Sequence, residues 1–130
     1  MQQQHSKTEL LQQIKRVIEG TDDAKLNKVY TWYKPKTKEG CVAGICAQDE
    51  WFNKQGFKSE PIEDYYDANH VPIYASGNGK QYSWNAIDSF FYTFSHKLKA
   101  KLFGTRTIVM NLSKDEIIQV INEELEQIHA

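Results

Sequence analysis

Residues 29–47 read Val29-Tyr30-Thr31-Trp32-Tyr33-Lys34-Pro35-Lys36-Thr37-Lys38-Glu39-Gly40-Cys41-Val42-Ala43-Gly44-Ile45-Cys46-Ala47. The first six are aromatic, β-branched or basic, and the last seven form a short apolar run. The Pro- and Gly-bounded piece between them, residues 35–40, has the composition of a hairpin loop. Two strands joined by a hairpin are therefore expected here, with residues 41–47 as a buried strand. On such a strand Cys41 and Cys46 would point to opposite faces, as small core residues rather than a disulfide, redox pair or metal site. This reading makes the fold a sheet protein with helices added, because further strand-like segments follow: residues 57–62, ended by Pro61, residues 71–75 leading into the Asn78-Gly79 turn, and residues 105–112. Residues 51–55 read as a helical turn closed by Gly56.

Outward from the strands, three helices are expected. Ser6-Lys7-Thr8-Glu9 is a capping box that opens a stripe of Leu10, Leu11, Ile14, Val17 and Ile18, with Gly20 as a stop able to take the left-handed conformation. Ser113-Lys114-Asp115-Glu116 repeats the device before Ile117, Ile118, Ile121, Leu125 and Ile128. Between them, residues 84–103 follow Ser83 and precede Gly104. Their 100° periodicity puts Ile87, Phe90, Phe91, Phe94, Leu98 and Leu102 on one face of a long central helix. Its opposite face collects Ser89, Tyr92, His96, Lys99 and Phe103. The expected architecture is a single α+β domain over residues 1–130 with a flexible start at 1–5. It has a mainly antiparallel sheet of four to five strands, an N-terminal helix, the long central helix and a C-terminal helix.

A chain of 130 residues, 40% hydrophobic and 25% charged, is ordinary for a globular domain, and its formal charge of -1 excludes a uniformly basic or strongly acidic protein. That total is a cancellation. Residues 1–46 carry +3, 47–67 carry -4, 68–114 carry +5 and 115–130 carry -5. The acidic stretch Glu60, Glu63, Asp64 and Asp67 is interleaved with Tyr65 and Tyr66. Rigid aromatics within a polar rim suit a protein interface, with Trp51 as a further anchor. The same carboxylates with His70 match no specific metal spacing, so a solvated acidic loop is the plain alternative and no metal or cofactor is expected. The basic block concentrates in His96, Lys97, Lys99, Lys101 and Arg106, with Lys34, Lys36 and Lys38 as a second group. Lysines near a helix C-terminus are also what the helix dipole favours.

Gly77-Asn78-Gly79-Lys80 fails the phosphate-loop pattern, since Tyr74 and Gln81 stand where Gly and Ser/Thr belong. Neither a nucleophile elbow nor a metal-binding HExxH helix occurs, so binding is expected over catalysis. The first functional expectation is a small cytoplasmic protein-binding module of the immunity-protein or inhibitor kind. It would neutralise or regulate a macromolecular partner through the acidic, tyrosine-bearing surface. The alternative is a nucleic-acid-binding protein that uses Lys97, Lys99, Lys101 and Arg106, with Tyr92 or Phe103 for stacking. A third reading is a metal-free hydrolase or nuclease built on His70 and His96. No secretory leader and no apolar run of membrane-spanning length is evident, and Asn111-Leu112-Ser113 is read as a coincidental acceptor triplet.

Overall fold

The computed structural model describes residues 6–26, 33–34, 37–57, 87–88, 90–103 and 112–128. Of these, 68% are helical and 5% are strand, which overturns the expected four- to five-stranded antiparallel sheet. The elements are α1 (Lys7–Glu19), a 3₁₀ turn (Asp23–Lys25), β1 (Tyr33–Lys34), β2 (Glu39–Gly40), α2 (Val42–Cys46), α3 (Glu50–Lys54), α4 (His96–Phe103) and α5 (Lys114–Ile128). The hairpin exists in reduced form: β1 and β2 pair antiparallel with Tyr33 opposite Gly40 and Lys34 opposite Glu39. Leu26 adds one parallel bridge to Gly40. Lys38, the last loop residue, takes φ 61°, a left-handed conformation uncommon for a residue with a Cβ.

The apolar run after the hairpin is where the strand reading fails. Cys41 is extended (φ -77°, ψ 167°), and its sulfur accepts the Gly44 N–H at 3.3 Å, so it caps a helix instead of opening a strand. Residues 42–47 are all buried. A helix buried all round has no polar face and hence no 3.6-residue period to read, and a run of this length fits either element. Cys41 and Cys46 are accordingly helix cap and helix end, not alternating strand positions. Cys46 is fully buried, and that burial holds its thiol well above the ordinary range.

The expected continuous central helix is interrupted among the described residues. Ile87, Asp88 and Phe90 are helical, but residues 91–95 leave the helix and it restarts at His96. The Phe94 N–H reaches back three residues to the Phe91 carbonyl at 3.0 Å. The Ser95 hydroxyl then accepts the Leu98 N–H at 3.1 Å, and the Ser95 carbonyl accepts the Lys99 N–H at 3.0 Å. Ser95 is thus an internal N-cap. The apolar stripe runs through the break without losing burial at Ile87, Phe91, Phe94, Leu98 or Leu102. The new register turns Phe103 inward, 7% exposed, with its ring 4.8 Å from that of Phe91.

The terminal helices follow their sequence signals. In α1 the Ser6 hydroxyl accepts the Glu9 N–H at 3.1 Å, and all five stripe residues are buried. In α5 the capping box closes both ways: the Glu116 N–H donates to Ser113 Oγ at 3.2 Å, and the Ser113 N–H donates to Glu116 Oε1 at 2.9 Å. Ile128 departs from the expected stripe and is 38% exposed. Gly20 ends α1 at φ -85° without the left-handed turn, which belongs instead to Gly56 (φ 99°) after α3.

Lys7 at the start of α1 pairs with Glu124 near the end of α5 at 3.0 Å. At the opposite ends, Lys114 Nζ donates to the Glu19 carbonyl at 3.0 Å, and the Lys114 N–H donates to Asp23 Oδ1 at 2.6 Å. The two terminal helices therefore pack antiparallel. The core between the elements is completed by a cluster of phenylalanines in which Phe91 lies 5.2 Å from Phe57, 5.0 Å from Phe90 and 5.2 Å from Phe94, ring centre to ring centre. The strands expected at 71–75 and over 58–62, the Asn78-Gly79 turn, residues 29–32 and residues 105–111 lie outside the described residues.

Candidate functional site

The acidic candidate surface is represented by one described residue. Glu60, Glu63, Asp64, Tyr65, Tyr66 and Asp67 lie outside the described residues, as do His70 and Arg106. Trp51 is half-buried on α3, with its ring edge-on to Phe52 at 5.0 Å between centres. It therefore contributes to the wall of the core as well as to the surface.

The basic candidate surface is only partly free. Tyr92 is 52% exposed in the break before α4, and His96 and Lys97 are exposed after it. Lys99 is held by Asp88 at 3.0 Å with its side chain 12% exposed, and Lys101 is partly buried. Phe103, the other residue expected to stack on bases, is in the core. The acidic helix α5 also packs against α4. Among the described residues no three His, Cys, Asp or Glu side chains gather as a metal site.

The structure adds a concavity that sequence reasoning missed. An open groove of about 480 Å³ lies between the C-terminal end of α1, the 3₁₀ turn, the hairpin and the junction of α2 with α3. Its apolar lining is Val17 and Ile45, and Tyr33 stands beside them. Asp49 and Arg16 form one wall through two hydrogen bonds, from Nη1 to Oδ1 at 3.2 Å and from Nη2 to Oδ2 at 2.8 Å. Each partner is held a second time. Arg16 Nε donates to Gln13 Oε1 at 2.7 Å, and Asp49 Oδ2 accepts the Phe52 N–H at 3.3 Å as the N-cap of α3.

This doubly anchored pair is an orienting device. Burial by itself would raise the Asp49 carboxyl, but the hydrogen bonds from Arg16 and from the Phe52 and Trp51 amides outweigh it, so Asp49 stays ionised below the usual carboxylate range. The hydrogen bond with Asp49 in turn raises Arg16 above its ordinary value, against the opposing effect of burial. The carbonyls at this end of α1 are also occupied. Arg16 O accepts the Gly20 N–H, Val17 O the Thr21 hydroxyl, Ile18 O the Thr21 N–H and Glu19 O the Lys114 ammonium. The usual accumulation of acceptors at a helix C-terminus is thereby taken up internally.

Two further basic residues reach the groove, Lys25 from the 3₁₀ turn and Lys38 from the hairpin loop. Lys38 belongs to the second basic group seen in the sequence. Arg16, Lys25 and Tyr33 carried no signal linking them to it, because the groove is assembled from segments that only the fold brings together. No protein-family model, curated protein or solved structure matches the chain.

Proposed function

We propose that the chain is a small cytoplasmic protein-binding module that neutralises or regulates a macromolecular partner, of the immunity-protein or inhibitor kind. The observation that carries this reading is the segregation of charge between elements. Helix α5 exposes Asp115, Glu116, Glu123 and Glu126, and residues 115–130 contain no Lys or Arg. The adjoining α4 carries Lys97, Lys99 and Lys101. Separated fields of this kind steer a charged partner into orientation before contact. The acidic, tyrosine-bearing stretch at residues 60–67 supplies the aromatic anchors that a desolvated interface centre uses. No helix among the described residues is long and apolar enough to cross a membrane.

Tagged protein captured from its native host should retain a stoichiometric protein partner. Reversing charge at Glu60, Glu63, Asp64 and Asp67 should slow association, and added salt should slow it for the unmodified chain. Thermal stability should be nearly unchanged by the reversal. A monomer that retains no partner overturns the reading, and unfolding of the charge-reversed variant removes these carboxylates from the binding surface.

The exposure of Tyr92, His96 and Lys97 favours one second reading, a nucleic-acid binder that uses His96, Lys97, Lys99, Lys101 and Arg106 with Tyr92 for stacking. Oligonucleotide binding that falls steeply with salt supports it, and no binding at low salt removes it.

A further inference from the structure

We propose that the groove between α1 and the hairpin binds a small phosphorylated ligand of about the size of a nucleoside monophosphate. The groove's volume of about 480 Å³ is in the range of small-molecule clefts. Its lining combines Tyr33 and the nearly buried Val17 and Ile45 with the basic Lys25 and Lys38.

The electrostatics favour an anion. Arg16 and Asp49 neutralise each other through their paired hydrogen bonds. Lys25 and Lys38 have no ion-pair partner among the described residues, unlike Lys7, Lys54 and Lys99, which pair with Glu124, Glu50 and Asp88. Asp22 is the one further carboxylate of the described lining, so two unpaired cations face one anion. The α1 carbonyls that would repel a phosphate are already hydrogen-bonded to Gly20, Thr21 and Lys114. A second observation concerns backbone. Lys38 holds φ 61°, where Gly or Asn would be less strained, and strain of this kind concentrates where a side chain is being aimed.

This inference is independent of the protein-binding reading, since the groove shares none of the residues assigned to that surface. The test is titration of the full chain with AMP and, separately, with ribose 5-phosphate, followed through backbone amide NMR shifts of Gly20, Thr21 and Gln48. Binding of either compound that moves these amides, and that weakens roughly tenfold or more in the Lys25→Gln/Lys38→Gln double variant, supports the proposal. Binding of AMP alone identifies a nucleotide as the ligand, and equal binding of both identifies a sugar phosphate. Absence of shifts with both compounds at about 10 mM overturns it, as does binding that the double variant leaves intact. Lys38 is exposed and Lys25 half-buried, and an unchanged thermal melt of the variant establishes that a lost signal is lost binding.

Discussion

At the level of the single residue, Asp49 does the most. Its carboxylate caps α3 through the Phe52 N–H and orients Arg16 of α1, joining the two elements through residues 33 apart in sequence. Because its pKa is lower in the folded chain than in the unfolded one, the unfolded chain binds the proton first as pH falls. The stabilisation is therefore complete above the ordinary carboxylate pKa of about 4 and is lost as pH drops through the folded value below it. Asp49→Asn keeps a good N-cap but cannot form the ion pair. Urea unfolding should find Asp49→Asn less stable than the unmodified chain at pH 7, with the difference shrinking toward zero near the bottom of the acid range. A constant difference at all pH values would assign the loss to packing instead. The sequence reading placed a helical turn at residues 51–55 without its Asp49 cap, and nothing local indicated that Arg16 would meet that carboxylate.

At the level of the element, what could be read in advance depended on whether a helix had a wet side. α1 and α5 each present an apolar stripe against polar residues and begin with a capping box, and both form where those signals put them. α2 has neither a polar face nor a hydroxyl or carboxylate cap. Its N-cap is the sulfur of Cys41, and its residues are buried on every side, so the same sequence reads as strand. The break before α4 was hidden for the opposite reason. Phe91, Phe94, Leu98 and Leu102 keep helical spacing across it, so the stripe gives no sign that the backbone has paused. The sign lay in Ser95, whose side chain competes for backbone donors when a helix can restart. Ser95→Ala should therefore destabilise the fold by about 1 kcal/mol, as a lost N-cap does, whereas a serine in the middle of a continuous exposed helix would gain slightly from alanine. Chemical denaturation of Ser95→Ala decides between them: a rise in stability would mean that α4 begins earlier than His96.

At the level of the whole molecule, the two ends of the chain form one structural unit. α1 and α5 lie antiparallel, tied at one end by Lys7 with Glu124 and at the other by Lys114 with Glu19 and Asp23. Between the ties Leu10, Ile14, Ile117 and Ile121 are 1% exposed or less. The surface ion pair adds little beside this burial, because exposed pairs are worth at most about 1 kcal/mol. A buried Ile truncated to Ala typically costs about 2–5 kcal/mol, a large part of the roughly 5–15 kcal/mol that holds a domain folded. α5 buries two residues fully, Ile117 and Ile121, so it has little to hold it once its contact with α1 is weakened. Ile121→Ala should accordingly lower hydrogen-exchange protection in α5 and in α1 by the same free energy, though α1 is unmodified. A long amphipathic helix that owed its order to local propensity would give a different pattern, with protection falling in α5 and holding in α1. The equal loss is expected because the contact between α1 and α5 is the most extensive between any two described elements, so the pair opens together or not at all.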